Sequence, residues 1–160
     1  MKSVLPLSFK IIYNKKQMGS DSSIKRKPFL IYAILLIATG IALGAFGAHG
    51  LDGLVKEGKL DLKNLASWKT GVLYQLLMAG GLILMIMLEK NYRLNSLKTS
   101  LIILSIGVSL FAFSIYILVL NHLWNIDMVK YAMIPLTPIG GIFMITSWVL
   151  LLLNILKHKK

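Results

Sequence analysis

The sequence predicts an all-α membrane protein whose four transmembrane helices form a compact antiparallel bundle. Apolar residues make up 56% of the 160-residue chain, and its mean hydropathy is +0.73. An ordinary soluble domain is only about 45–50% apolar, even with glycine counted. The charged residues and histidines leave four stretches of 18 to 22 residues free. Because about 20 apolar residues are needed to cross the hydrocarbon core of a bilayer, each stretch is long enough to form one span.

Spans one to four lie within a membrane domain that covers residues 29–156. The first stretch has 20 residues, more than the roughly 7–15 of a signal peptide's apolar core, so we expect an uncleaved first span. Short connections make spans two and three, and spans three and four, antiparallel neighbours. Pro135 and Pro138 each remove a backbone donor, which predicts a kink in the outer part of span four. The four predicted spans cover residues 29–48, 71–88, 99–120 and 132–153.

The distribution of basic residues predicts the orientation of the chain. Thirteen of the 18 lysines and arginines lie before span one, between spans two and three, or after span four. Positive charge is enriched in cytoplasmic loops, so we expect both termini to be cytoplasmic. Residues 1–28 are expected to form a disordered basic N-tail, and residues 157–160 a basic C-tail. Because the net charge of +12 reflects topology, we expect no nucleic-acid partner.

The connection between spans one and two, residues 49–70, has room for structure of its own. Asp61 suits an N-cap, and a short interfacial helix would follow it, although a solvated connector is the alternative. Trp68 is then expected at the outer membrane boundary, like Trp124 and Tyr131, because amphipathic rings favour that position.

Small residues form a face on each predicted span. On span one, for example, Gly40, Gly44 and Gly47 share one side of the helix. Lipid supplies no hydrophobic drive for helix association, and small residues instead let two backbones approach and gain van der Waals contact. We therefore predict helix packing at seven glycines, namely Gly40, Gly44, Gly47, Gly80, Gly81, Gly140 and Gly141.

Polar side chains gather toward the outer end of the predicted bundle. Polar groups within a membrane often mark function, which suggests a small ligand-binding pocket that opens to the outside. The alternative, which we favour, is that these groups hydrogen-bond between helices, at about 0.6 kcal/mol per bond, or contact headgroup water. The residues concerned are His49, Gln75, Tyr116, Asn121, His122 and Thr137.

The sequence argues against several kinds of chemistry. The chain has no cysteine, and His49, His122 and Asp127 offer few ligands for a metal site, which needs three or four that converge. Ser114 and His122 lack the third member of a hydrolase triad. The spans carry no charged side chain of the kind that ion pumping uses. We therefore expect no metal, no cofactor and no enzymatic activity.

Four short motifs occur in order along the chain, and together they carry a family resemblance. They are GAFGAHGL at Gly44–Leu51, WKTGVLYQ at Trp68–Gln75, LFAFSIY at Leu110–Tyr116 and TPIGG at Thr137–Gly141. Over about residues 29–155 the chain resembles the family called domain of unknown function 423, whose relatives include bacterial inner-membrane proteins and an animal transmembrane protein. The resemblance implies a small multi-pass protein of the bacterial plasma membrane and supplies no catalytic residues. The family pattern usually places a histidine where this chain has Met78.

These observations predict a non-enzymatic protein of the plasma membrane. We expect it to contact the lipid bilayer and to associate with a second copy of itself or with another membrane protein through its small-residue faces. The alternative is a small-molecule transporter or binder that uses the outer polar pocket. A membrane-embedded enzyme is the weaker alternative.

Overall fold

A computed structural model describes the chain over residues 7–92 and 94–158, and the regular structure in these ranges is helical. Helix α1, Leu7–Phe46, continues through a π turn, Gly47–Leu51, into the short helix α2, Asp52–Lys56. The later helices are α3, Leu62–Asn91; α4, Lys98–Trp124; α5, Asp127–Met133; and α6, Leu136–Lys157. Within these described ranges, four segments are long and apolar enough to cross a membrane, namely Arg26–Lys56, Leu62–Asn91, Lys98–Trp124 and Asp127–Lys157. This confirms the predicted four-span, all-α architecture.

Helices α3 and α4 lie at the centre of the bundle. Helix α1 packs along α3, α3 along α4, and α4 along α6. Side chains add two further contacts, because Tyr32 of α1 bonds to Ser109 of α4 and Trp148 of α6 lies against Gly81 of α3. Within the described ranges α1 and α6 do not pack along each other. The four spans therefore form a rhombus, with α1 and α6 at opposite corners.

The two ends of the bundle differ in charge. At the basic end, α1 enters the bundle at Arg26, α3 and α6 finish, and α4 begins at Lys98. The opposite end carries the π turn, α2 and α5. These two names, the basic end and the opposite end, are used below.

Helix α1 is longer than the predicted first span. Residues 7–28 continue into the span as one helix, whereas the sequence predicts a disordered tail there. This segment has one glycine and no proline before Pro28, so helix propensity is not interrupted until the span begins. Residues 1–6 of the predicted N-tail, and residues 159–160 of the predicted C-tail, lie outside the described residues.

Helix α3 also begins earlier than its predicted span. Asp61 occupies the N-cap position with an extended backbone, but its side chain makes no capping bond. The predicted interfacial helix is instead the first part of α3, and one side of it faces the protein. Trp68 is only 1% exposed, so its ring packs inside the protein. Trp124 and Tyr131 are exposed, at 67% and 81%.

The fourth span consists of two helices, α5 and α6, and the break between them lies at Pro135. A turn at Ile134 and Pro135 separates α5 from α6. Pro138 then lies in the first turn of α6, where a missing backbone donor has no helical partner to lose.

Two apolar clusters form the core. The larger lies toward the basic end and joins residues of α1, α3, α4 and α6, including Ala33, Met78, Leu104 and Met144. The smaller lies toward the opposite end and surrounds Trp68. Met78 is 7% exposed, so it makes an apolar contact within the larger cluster.

Candidate functional site

A hydrogen-bonded network links three of the four spans. The Gln75 side chain on α3 donates from Nε2 to the Leu36 carbonyl at 2.8 Å and to Thr39 Oγ1 at 2.9 Å, both on α1. Its Oε1 accepts a bond of 2.8 Å from the Tyr116 hydroxyl on α4. Thr39 in turn donates to the Leu35 carbonyl at 2.7 Å. Both donors of the amide and its oxygen are therefore bound within the chain.

Trp68 packs beside this network, on the side nearer the opposite end. Its indole N–H donates to the Leu43 carbonyl of α1 at 2.8 Å, and its ring centroid lies 4.6 Å from that of Tyr116. Phe46 also packs against the indole, with ring centroids 5.6 Å apart. Gln75 and Tyr116 are 2% and 5% exposed, so the polar atoms and the rings form one filled contact between α1, α3 and α4.

The glycines of α1 make room for this contact. A Cβ atom at Gly47 would lie 2.6 Å from Trp68 Cδ1, and one at Gly40 would lie 2.7 Å from Leu76 Cδ2. Gly44 has more space, because its Cβ would lie 3.4 Å from Val72. The GAFGAHG motif therefore packs on α3 within the same chain through Gly44 and Gly47, where small residues allow close approach.

The contact between α4 and α6 is closer. A Cβ at Gly140 would lie 2.5 Å from the Phe111 backbone nitrogen and 2.7 Å from the Gly107 carbonyl oxygen. A Cβ at Gly107 would lie 2.8 Å from the Met144 nitrogen. The two backbones therefore touch at a Gly107–Gly140 crossing, as small residues allow in membranes.

Helices α3 and α6 each contain two consecutive glycines, Gly80–Gly81 and Gly140–Gly141. In each pair, one glycine faces a neighbouring helix and the other does not. Gly81 faces Trp148 Cζ2, which would lie 2.9 Å from an added Cβ. Gly80 and Gly141 would meet nothing within 4 Å, so they make no helix contact within the described chain, unlike Gly81 and Gly140. Adjacent residues point about 100° apart on a helix, so only one of each pair faces the bundle.

The predicted outer pocket residues do not all come together. Gln75 and Tyr116 meet, as described. Thr137 Oγ1 lies 2.7 Å from Ser114 Oγ in a separate contact between α6 and α4. Asn121 bonds both polar atoms to the backbone of Ile126, at 3.0 and 3.2 Å, and so fixes the turn after α4.

The two histidines of the predicted pocket lie at the surface. The His49 side chain is exposed in the π turn, and His122 is exposed with its Nδ1 3.2 Å from the Leu118 carbonyl of its own helix. Neither bonds to Gln75 or Tyr116. Across the described chain, no group of three His, Cys, Asp or Glu side chains is arranged to hold a metal ion.

Sequence reasoning missed an ion pair at the basic end. Arg26 Nε and Nη2 bind the two carboxylate oxygens of Glu89 at 2.9 and 2.6 Å, and Nη2 also donates to Ser96 Oγ at 3.0 Å. The two charged side chains are 12% and 14% exposed. This fork geometry ties the start of the first span to the end of α3 and to the connection before α4. The one available signal was an acidic residue in a basic region, namely Glu89 directly before Lys90.

Comparison with known proteins identifies the group to which the chain is related. Residues 43–141 match the family model described as "Protein of unknown function (DUF423)". The chain is 33% identical over 133 residues to the UPF0382 membrane protein YwdK of Bacillus subtilis. This alignment covers 82% of this chain and 98% of that protein. The chain is 29% identical over 137 residues to the UPF0382 inner membrane protein YgdD of Escherichia coli, with 82% and 91% covered.

No solved structure matches the chain. The family model covers more than half of the chain, and the Bacillus relative aligns over almost its whole length. The chain therefore belongs to this family of membrane proteins of unknown function.

Proposed function

We propose that this protein is a non-enzymatic membrane protein that acts by contact with a second copy of itself or with another membrane protein. The observation that carries the proposal is the use of polar side chains within the membrane. The Gln75 amide binds Leu36, Thr39 and Tyr116, so the polar atoms of Gln75 and the Tyr116 hydroxyl are used to stabilise the bundle. A binder or transporter at the opposite end has less support for the same reason.

The outer surfaces of α3 and α6 support a contact function. Gly80 and Gly141 are small positions with open space around them. In lipid, small residues permit close helix approach where large side chains would hold two helices apart. Each glycine therefore marks a place where a helix from outside this chain fits closely.

The proposed orientation has both termini in the cytoplasm. Lys27, Lys90, Lys98 and Lys157 all lie at the basic end, and cytoplasmic segments are enriched in positive charge. The chain has no cysteine, so single-cysteine variants report cleanly. In intact cells, an impermeant maleimide should label Lys59→Cys at the opposite end and leave Lys157→Cys unlabelled. The reverse pattern would overturn the orientation.

Oxidative cross-linking in native membranes tests the contact function. Gly80→Cys or Gly141→Cys should yield a covalent dimer if the partner is a second copy. A reagent that joins a cysteine to a nearby amine should yield a heavier adduct of constant mass if the partner is another protein. The matched controls are Ala79→Cys and Ser147→Cys, which are 0% exposed and should yield neither product. Absence of both products from both glycine positions would overturn the proposal.

A further inference from the structure

A groove runs along the lipid-facing side of the bundle between α1 and α4, close to the basic end. It consists of two shallow, open hollows that share Pro28 and Tyr32. The hollow of about 470 Å³ is lined by residues of α1 alone, and the hollow of about 350 Å³ by residues of both α1 and α4. The walls of this α1–α4 groove are mainly apolar, with Ile31 and Leu35 on α1 and Ile106 on α4.

The hydroxyl groups on the floor of the groove already have partners. Tyr32 and Ser109 bond to each other at 2.5 Å. Ser105 and Ser109 also donate to the carbonyls one turn earlier in α4, at 2.8 and 2.7 Å. The groove therefore presents hydrocarbon to an occupant, and a flexible alkyl chain suits it better than a polar molecule.

One lysine lines the groove, and a second begins the helix that forms its other wall. Lys27 lines its end directly. Lys98 lies on the same face of α4 as Ser105 and Ser109, at helical spacings of seven and eleven residues. The bond from Arg26 to Ser96 joins the residue before Lys27 to the connection that leads into α4, and so both lysines lie at the basic end of these two helices. Both are exposed, and the described ion pairs include neither.

The length of the groove along the helix axis is slightly less than the thickness of the hydrocarbon region of one leaflet. Lys27 and Leu35 are eight residues apart, or about 12 Å along a helix. Half of the bilayer core is about 15 Å. A molecule with its charge at Lys27 would therefore extend its hydrocarbon through most of one leaflet. Phospholipids have an anionic headgroup joined to alkyl chains of this length. Two cations outside the ion pairs of the described residues favour a headgroup with net negative charge, at roughly fivefold in affinity per lysine.

We propose that the α1–α4 groove binds one acyl chain of an anionic phospholipid, whose phosphate lies between Lys27 and Lys98. This site does not depend on the proposed contact function, because it lies on a different surface from Gly80 and Gly141. The basic residues of the sequence alone indicate only a general attraction to the membrane. The proposed site adds a lipid ligand that is bound at a defined position at the basic end.

Native mass spectrometry of the full chain tests the site. The probes are phosphatidylglycerol and phosphatidylcholine with identical acyl chains. The double variant Lys27→Gln/Lys98→Gln should lower phosphatidylglycerol affinity by about 25-fold and leave phosphatidylcholine almost unchanged. The matched control Lys90→Gln/Lys157→Gln removes two exposed charges from the same end, away from the groove, and should have little effect. Equal losses from both pairs would overturn the proposal.

A second variant tests the acyl chain. Ile31→Trp fills the groove with a ring and should lower the affinity for both lipids, with Ile106→Trp on the opposite wall as an independent check. Both positions are about half exposed, at 49% and 44%, so the larger ring should not prevent folding. Circular dichroism checks that each variant is folded. Unchanged binding in both folded variants would show that the acyl chain lies elsewhere and would overturn the site.

Discussion

The two glycine contacts of this bundle differ in what the glycines face. Between α1 and α3, Gly40 and Gly47 face the side chains of Leu76 and Trp68. Between α4 and α6, Gly107 and Gly140 face the backbone of the other helix. A side chain can change its rotamer when a neighbour grows, whereas a backbone can move only with its whole helix. A larger residue in place of glycine can therefore be accommodated in part between α1 and α3. Between α4 and α6, glycine fixes the distance between the two helices.

The contacts also differ in how polar groups take part. The α1–α3 contact contains the bonds of Gln75 and Trp68 to the carbonyls of Leu36 and Leu43. Between α4 and α6 the polar bonds come from hydroxyls, with Ser147 donating to the Ser100 carbonyl at 2.7 Å and Thr137 paired with Ser114 at 2.7 Å. Close backbone approach dominates only at the Gly107–Gly140 crossing itself. Hydrogen bonds in membranes contribute modestly, so polar groups at the first contact fix its register more than its strength.

The largest expected effect is at Gly140. In Gly140→Ala, the new Cβ would lie 2.5 Å from the Phe111 nitrogen, so α4 and α6 must separate. We expect the free energy of unfolding to fall by about 2–3 kcal/mol, the upper range for overpacking. Unfolding with dodecyl sulfate in mixed micelles, followed by circular dichroism, measures it. Gly141→Ala is the control, because its Cβ would meet nothing within 4 Å. Equal losses would refute the rigid crossing.

A smaller effect is expected at Gly47. In Gly47→Ala, the Cβ would lie 2.6 Å from Trp68 Cδ1 and 2.8 Å from Nε1. The indole must tilt and weaken its bond to Leu43, which lowers the free energy of unfolding by about 1–2 kcal/mol. The same titration measures the change. Gly44→Ala, with 3.4 Å to Val72, should remain close to the parent protein. A loss at Gly44 as large as that at Gly47 would contradict this ranking.

Tyr116→Phe tests the polar network with almost no change of shape. It leaves Gln75 Oε1 without its bond from α4, and we expect a loss of about 1 kcal/mol in the free energy of unfolding. A double-mutant cycle with Gln75→Leu isolates the pair, since the second change should cost less once the first is made. Additive losses would mean that the two side chains stabilise the bundle independently.

The sequence predicts the four spans because the bilayer itself sets their length and composition. It also predicts the packing face of Gly40, Gly44 and Gly47, because helical periodicity puts them on one side. It cannot decide which member of Gly80–Gly81 or Gly140–Gly141 faces a neighbour, because this depends on the rotation of each helix. The crossing at Gly107 and the Arg26–Glu89 pair depend on which helices are neighbours, and periodicity within one helix carries no such information.

The polar residues show the same limit. Depth along the chain correctly puts Gln75, Tyr116 and the two histidines in the half of the bundle toward the opposite end. Depth does not separate a side chain that faces a neighbouring helix from one that faces outward. Gln75 and Tyr116 face the interior, whereas His49 and His122 are exposed, and so a pocket inferred from depth alone combined two environments.

The smallest effect is expected at His49, two residues after Gly47 in the same π turn. The imidazole is exposed, so His49→Ala should change the free energy of unfolding by less than about 0.5 kcal/mol. The unfolding titration on His49→Ala and Gly47→Ala together measures the contrast within one motif. A loss above about 1 kcal/mol at His49, in the purified chain, would require a partner for the ring that the fold of a single chain does not supply. Because two ring nitrogens at the membrane surface can bind a ligand or a second copy, that result would move the functional surface from Gly80 and Gly141 to the GAFGAHG motif.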